Sequence, residues 1–245
     1  MRKWKWEKIF ACSLTLVLCI TAANLFRLSR ITEDTIAPVR FSGSQLVLDA
    51  GHGGEDGGAV SRTGVPESRI NLAIVQKLNQ LMGFYGVAPV LLRNSDVSLH
   101  DSSASTLREK KVSDLHNRVA IIEATENAVV ISIHQNTFPD PAYHGAQVFF
   151  RSGEDSRSLA IQIQDSLRAL DPSNKRIPAK IPDSVYLMKH ITCQAVLVEC
   201  GFLSNAAEDE RLQNTGYQTQ LALCIAGAWL RSGEAGAGDT PSTAG

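Results

Sequence analysis

Short apolar runs alternate with amphipathic helical patterns through most of this 245-residue chain, and no other feature constrains its fold as strongly. Five runs have the length and apolar character of buried strands, at residues 45–50, 87–92, 128–133, 146–150 and 195–200. Apolar side chains at helical spacing predict helices at residues 67–84, 113–126, 155–170 and 216–231. Ser113 or Asp114 is the predicted N-cap of the second of these helices. The order predicts a single α/β domain with helices on both faces of its sheet.

The N-terminal segment has the order of charge and apolarity that is typical of export. Residues 2–8 carry four basic side chains and one acid, and a mostly apolar run follows over residues 9–26. We expect residues 1–26 to be a signal peptide or a membrane anchor, with the rest of the chain outside the cytoplasmic membrane. The run is just long enough for a membrane span, and small residues at 21–23 leave cleavage open. A buried core helix is the remaining alternative.

Composition shifts divide the rest of the chain. Residues 27–44 are predicted to be a linker, residues 45–231 a folded domain, and residues 232–245 a disordered tail rich in small residues. A net charge of -1 does not indicate nucleic-acid binding. Five cysteines are too few for a disulfide scaffold, although a Cys193–Cys200 bridge stays open in an exported protein.

Two histidines at or just beyond predicted strand ends, and one acid at the start of a predicted helix, can ligate metal. His52 follows the run at 45–50, His134 follows the run at 128–133, and Glu67 opens the first predicted helix. Strand ends of an open α/β sheet are where sites form, although the long spacing between these side chains does not by itself predict that they converge. Two imidazoles and one carboxylate would hold Zn²⁺ with one coordination position left open. Each has an ordinary alternative, namely a structural histidine or a first-turn acid favoured by the helix dipole.

Glu199 is the candidate general base for such a site. It ends an otherwise apolar run at residues 195–198, and a desolvated glutamate near a metal is a good proton acceptor. The alternative is an ion pair with a core arginine such as Arg118. The glycine-rich loop at 51–58 also suggests a phosphate cradle, but it lacks the spacing of the known phosphate-binding loops.

Four ordered motifs resemble those of the zinc-dependent N-acetylmuramoyl-L-alanine amidases. They are LVLDAGHGGEDGGAV at 46–60, ESRINL at 67–72, SIHQN at 132–136 and LVECGFLSN at 197–205. The resemblance implies a mixed, roughly six-stranded sheet flanked by helices on both faces. It implies hydrolysis of the amide bond between N-acetylmuramic acid and L-alanine in peptidoglycan, with Zn²⁺ as the cofactor.

The same resemblance assigns roles to individual residues. The zinc ligands fall on His52, Glu67 and His134, and the catalytic glutamate falls on Glu199. Asn136 and Arg118 also match family positions and are expected to bind the substrate or to support the metal ligands. Asn136 in particular is expected to orient a ligand or the substrate. This chain departs from the family pattern at Thr137 and Cys200, neither of which is an expected ligand.

Two further stretches resemble the branch of this family that acts on spore cortex during germination, on the way to muramic δ-lactam. They are SASTLREKKVSDLHNRVAII at 103–122 and VYLMKH at 185–190. The implied substrate is cortex peptidoglycan, and an accessory protein partner is left open. No nucleic acid is expected as a partner, and membrane contact is expected only through the N-terminal segment. Two alternatives remain, a zinc peptidase that cuts the stem peptide and an inactive wall-binding module.

Overall fold

Six strands form one mixed sheet in the computed structural model, which describes residues 43–237 of the chain. The strands are β1 (Gln45–Ala50), β2 (Val90–Leu91), β3 (Ala128–Asn136), β4 (Gln147–Phe150), β5 (Ala179–Lys180) and β6 (Gln194–Phe202). Their order across the sheet is β2-β1-β3-β6-β4-β5. All neighbouring pairs are parallel except β4 and β6, which are antiparallel. The predicted mixed six-stranded sheet is therefore confirmed.

Six helices are present within the described residues. They are α1 (Glu67–Phe84), α2 (Leu107–Glu123), α3 (Glu154–Leu170), α4 (Tyr186–His190), α5 (Ala206–Gln213) and α6 (Thr215–Ala237). Helices α1, α3 and α6 cover one face of the sheet around a core that includes Leu48, Ile131 and Val198. Helices α2 and α4 cover the other face, around Val47 and Val130. Helices thus lie on both faces, as predicted.

The start of α2 differs from the prediction, which placed the N-cap at Ser113 or Asp114. The helix begins at Leu107 because Thr106 caps it through a reciprocal box with Glu109. Asp114 instead lies inside the helix, where its carboxylate is bonded to Arg118. The predicted cap was wrong because the first turns of this helix are mostly polar, so apolar periodicity does not detect them.

Other element boundaries also differ. Strand β2 is limited to Val90–Leu91, and α6 extends to Ala237 instead of ending at Arg231. The helix therefore covers the first residues of the segment that was predicted to be a disordered tail. Elements β5, α4 and α5 were not predicted. The predicted export segment and most of the predicted linker lie outside the described residues, and between residues 43 and 237 no helix is long and apolar enough to cross a bilayer.

The three cysteines of the described domain are unpaired. Cys200 is buried in the core beneath α1, α3 and α6, whereas Cys193 packs against the core on the opposite face of the sheet. Since the sheet separates the two thiols, the structure contains no Cys193–Cys200 bridge.

Side-chain alternation along β3 and β6 positions the functional edge of the sheet. Ile133 and Val198 point into the core beneath α1, α3 and α6, so His134 and Glu199 emerge on the opposite face. The parallel register pairs His134 directly with Glu199. Because β1 also runs parallel to β3, the residues that follow β1 meet this pair at the same edge.

Candidate metal centre and active site

The three predicted metal ligands converge at the carboxyl ends of β1 and β3. His52 comes from the loop after β1, Glu67 is the first residue of α1, and His134 lies near the end of β3. One ligand atom from each side chain lies within 4.8 Å of the others. Nδ1 of His134 is 3.0 Å from one Glu67 oxygen, and Nε2 of His52 is 3.4 Å from the other. The structure therefore brings together all three residues of the His₂Glu set.

Glu67 is buried and its carboxylate is fixed by several donors. Oε2 accepts from the backbone N–H of Ala59, and Oε1 accepts from the backbone N–H of Gln135 and from the Asn71 side chain. Burial opposes ionisation, but hydrogen bonding to His134 and the nearby histidine charges lower the pKa of Glu67 to about 2. The carboxylate is therefore held in the ionised form that binds metal.

His52 is oriented by a second carboxylate. Its Nδ1 lies 2.9 Å from Oδ2 of Asp56, which leaves Nε2 directed toward Glu67. The hydrogen bond to His52 is the main reason that the pKa of Asp56 is well below its usual range. A carboxylate bonded to the remote nitrogen of a ligating histidine fixes the ring and its tautomer. The backbone of His52 has a φ of 61°, which is rare for a residue with a side chain.

Two glycines have no side chain where the candidate ligand side chains need room. A Cβ atom on Gly51 would lie 2.1 Å from Cε1 of His134. A Cβ atom on Gly58, whose φ is 69°, would lie 2.6 Å from Oε2 of Glu67 and 2.7 Å from the His52 ring. Any larger residue at either position would displace a ligand, so the glycine-rich loop serves the packing of this centre rather than a phosphate.

Glu199 lies beside the three ligands without a partner of its own. Its Oε2 atom is buried and accepts no hydrogen bond within the part of the chain that the structure describes. Burial, opposed by the His134 charge and assisted by the Glu67 charge, raises the pKa of Glu199 to about 7. A carboxyl group with a pKa near neutrality can both accept and return a proton. The alternative ion pair with Arg118 is not formed, because Arg118 binds other carboxylates.

A cleft of about 210 Å³ opens over His52, His134 and Glu199. Other polar side chains also line the cleft, among them Asp49, Ser132 and Lys111, which forms an ion pair with Asp56. The remaining lining is largely apolar and comes from α2, β6 and the segment around α4, through Leu115, Val185, Tyr186, Leu187 and Leu197. Apolar side chains therefore line the cleft next to the candidate base and ligands.

The two remaining predicted residues differ in their placement. Arg118 is buried beneath the cleft, where it forms ion pairs with Asp49 and Asp114. It also donates a 2.8 Å hydrogen bond to the backbone carbonyl of His52, a candidate metal ligand. Asn136 follows His134 by two residues on β3, and its Oδ1 accepts from the backbone N–H of Thr137 at 2.8 Å.

Asn71 and Gln135 belong to the site and were not predicted. Nδ2 of Asn71 donates to both Gly51 O and Glu67 Oε1, each at 3.1 Å. Oδ1 of Asn71 accepts from Nε2 of Gln135, so the two amides connect α1 to β3. Asn71 follows Glu67 by one helical turn, a spacing that predicts contact between the two side chains.

The donor set fits Zn²⁺. Two histidines and one glutamate that leave an open position form a known class of catalytic zinc site. Their converging atoms, the Asp56 support for His52 and the glycines beneath the rings are all present.

Comparison with known proteins decides the family. The family model described as N-acetylmuramoyl-L-alanine amidase matches residues 46–230, which is most of the chain. The chain belongs to this amidase family. It is accordingly an N-acetylmuramoyl-L-alanine amidase that acts on peptidoglycan, and the predicted family is confirmed.

Individual amidases align over much or most of this chain. It is 31% identical to the germination-specific N-acetylmuramoyl-L-alanine amidase of Bacillus subtilis, over 94% of this chain and 95% of the relative. A solved structure of the CwlD amidase from Clostridioides difficile, in complex with the GerS lipoprotein, superposes with a TM-score of 0.75 at 36% identity. It covers 78% of this chain and 99% of that chain. The amidase LytC of B. subtilis is 27% identical over 75% of this chain, which spans 34% of LytC.

Proposed function

We propose that this amidase is zinc-dependent and removes stem peptides from muramic acid in spore cortex, as a step toward muramic δ-lactam. The observation that carries the proposal is the convergence of His52, Glu67 and His134 beside the unpartnered carboxylate of Glu199. Similarity to the germination-specific amidase over nearly the whole chain supports the cortex as the substrate.

His52, Glu67 and His134 would hold the metal. Zn²⁺ in such a site lowers the pKa of water and polarises a carbonyl group. Arg118 and Asp56 hold the loop and ring of His52, so the geometry of the site is set before substrate arrives.

Glu199 acts as the general base and then as the general acid. It accepts a proton from the water that attacks the carbonyl carbon of the muramyl lactyl group. When the C–N bond breaks, Glu199 returns this proton to the L-alanine nitrogen, which leaves as an amine. The raised pKa of the Glu199 carboxyl suits both steps.

The proposed location is outside the cytoplasmic membrane, on the cortex side of the forming spore. The basic and then apolar order of residues 1–26 supports export, either with cleavage or as an anchor. The C. difficile CwlD amidase is in a complex with a lipoprotein, and we extend the possibility of an accessory protein to this chain.

Metal analysis and product analysis of the full-length protein test this function. We expect stoichiometric zinc, and mass spectrometry of digested cortex should show a free muramic carboxyl together with a new L-alanine amine. Shortened stem peptides that remain attached to muramic acid would instead support a zinc peptidase. Wall binding without hydrolysis, with or without zinc, would support an inactive module. Comparison with vegetative wall, in the presence and absence of a candidate lipoprotein, tests the cortex preference and the partner.

The variant Glu199→Gln tests the role of the proposed base. The change keeps the shape but removes the proton acceptor, so zinc content should stay near that of the wild type while the rate falls by about 10² to 10⁴. Melting temperature should be unchanged or higher, because a buried carboxylate becomes neutral. Glu210→Gln, an exposed change on α5, is the matched control. A zinc-loaded Glu199→Gln protein with the full rate would refute this role.

A further inference from the structure

Arg93 is a buried arginine that follows β2, and within residues 43–237 its hydrogen bonds go only to main-chain oxygens. Its Nε donates to Ala50 O at 2.8 Å, and its Nη1 donates to Ser95 O at 3.0 Å. Its Nη2 donates to Gly51 O at 3.1 Å and to Ser68 O at 2.8 Å. Four carbonyl groups from three separate segments therefore meet on one guanidinium.

The contacts of Arg93 complete a set that fixes the turn carrying His52. Arg118 donates to the carbonyls of Ala50 and His52, so with Arg93 every carbonyl from residue 50 to residue 52 is bonded to a buried guanidinium. A Cβ atom on Gly53 would lie 3.1 Å from Cδ of Arg93, so the backbone that follows His52 packs closely against this side chain. The backbone of His52 is in a left-handed conformation, which is strained. Such a conformation persists only where surrounding contacts, such as these hydrogen bonds, offset its free-energy cost.

Arg93 also reaches the segment that carries the second ligand. Ser68 immediately follows Glu67 in the first turn of α1, and its carbonyl shares Nη2 with the carbonyl of Gly51, which immediately precedes His52. One nitrogen atom thus ties the residues beside two ligands to each other. We propose that Arg93 is a positioning residue that fixes the separation of His52 and Glu67 and thereby sets the zinc affinity of the site. This inference rests on the proposed metal site.

The chemistry of these contacts requires arginine. Arg118 is neutralised by Asp49 and Asp114, whereas among residues 43–237 no carboxylate lies within ion-pair distance of Arg93. A buried guanidinium that is bonded to carbonyl groups, with Asp49, Asp96 and Asp114 acting on it only from beyond ion-pair distance, is an expensive way to stabilise a fold. Apolar side chains fill such space at lower cost. Its planar fork, however, can reach several carbonyls in fixed directions, which the single ammonium of lysine cannot do.

The experiment compares full-length Arg93→Met and Arg93→Lys with the wild type. Zinc dissociation constants are measured by competition with a chromophoric chelator, and the melting temperature of each metal-free protein is recorded. We expect Arg93→Met to bind zinc about 10 to 100 times more weakly, the range for residues that support metal ligands. Arg93→Lys, which keeps the charge and some donors, should fall between Arg93→Met and the wild type.

A control separates positioning from general stability. Met82→Ala removes packing from the core at the far end of α1 and should lower the melting temperature without changing zinc affinity. Wild-type zinc affinity in Arg93→Met would overturn the inference, and so would an equal loss of affinity in Met82→Ala. If Arg93→Met does not fold, wild-type affinity in Arg93→Lys would overturn it, and weakened affinity would support it. Absence of zinc from the wild type would instead refute the proposed function, and it would be seen before any variant is made.

Discussion

Replacing Gly51 with alanine offers a direct test of how the metal centre is packed. The new Cβ atom would lie 2.1 Å from Cε1 and 2.2 Å from Nε2 of His134. Carbon atoms in contact prefer separations of about 3.5 to 4.0 Å, so the ring or the loop must move by more than about 1 Å. Metal–ligand distances tolerate deviations of only about 0.2 Å. The displacement therefore exceeds what a three-ligand site can absorb.

We expect Gly51→Ala to bind zinc more than about 100-fold more weakly, beyond the loss typical of a supporting residue. Its amidase rate should fall in parallel with its zinc content. The fold should lose about 1 to 3 kcal/mol, the usual cost of overpacking a well-packed position. Elemental analysis after equilibration with zinc, release of L-alanine amines from cortex fragments, and denaturant unfolding measure the three quantities.

Gly83→Ala is the matched control on α1. A Cβ atom there meets nothing within 4 Å, so the change should leave zinc and rate unaltered and add up to about 1 kcal/mol of stability. A Gly51→Ala protein with full zinc content and full rate would refute the reasoning, because the His134 ring would then not lie against residue 51.

The other predictions concern ligands, acid stability and the N-terminal segment. His52→Ala and His134→Ala should each abolish zinc binding, and full zinc occupancy in both, measured by elemental analysis, would exclude the assigned ligands. Burial raises the pKa of Asp49, but Arg118 and Ser132 lower it further, so the folded pKa lies below the ordinary value. The ionised Asp49 therefore stabilises the fold at pH values above its unfolded pKa of about 4. That contribution is lost as the pH falls through the lower folded pKa. Asp49→Asn should therefore cost about 3 kcal/mol at neutral pH and weaken the acid dependence, and equal urea midpoints for the two proteins at neutral pH would contradict this. A chain that begins at Gly43 should be soluble and folded by circular dichroism, and its aggregation would count against residues 1–26 as an export segment.

The sequence predicted the elements that are long and periodic. Strands β1, β3 and β6 are near-continuous apolar runs, and α1 has an apolar stripe, so their positions were correct to within a few residues. Elements β5 and α4 span two and five residues, too short for any periodicity to reveal. The start of α2 was visible only as a capping box at Thr106 and Glu109, within a stretch whose apolar residues show no stripe.

The ligands were easier to predict than the residues that position them. Histidines at strand ends and an acid at a helix start are chemically conspicuous, so the sequence named His52, Glu67 and His134 as candidate ligands, and the structure places them together. Arg93 binds backbone carbonyl groups, which every residue possesses. No pattern of side chains in the sequence therefore predicts these contacts. Gly51 is needed because a Cβ atom at this position would collide with the His134 ring. This requirement is visible only in the folded chain.

The register between β3 and β6 determines which carboxylate becomes the base. His134 and Glu199 are register partners on adjacent parallel strands, so their side chains share one face at the spacing of neighbouring strands. A slip of one residue would turn Glu199 into the apolar core and bring Cys200 to the cleft. Such a slip would also move Val198, which is fully buried beneath α1, α3 and α6, to the opposite face of the sheet. Burial of the apolar residues that alternate with Glu199 therefore sets the register, and the same hydrophobic pattern that folds the sheet places the candidate base beside the metal ligands.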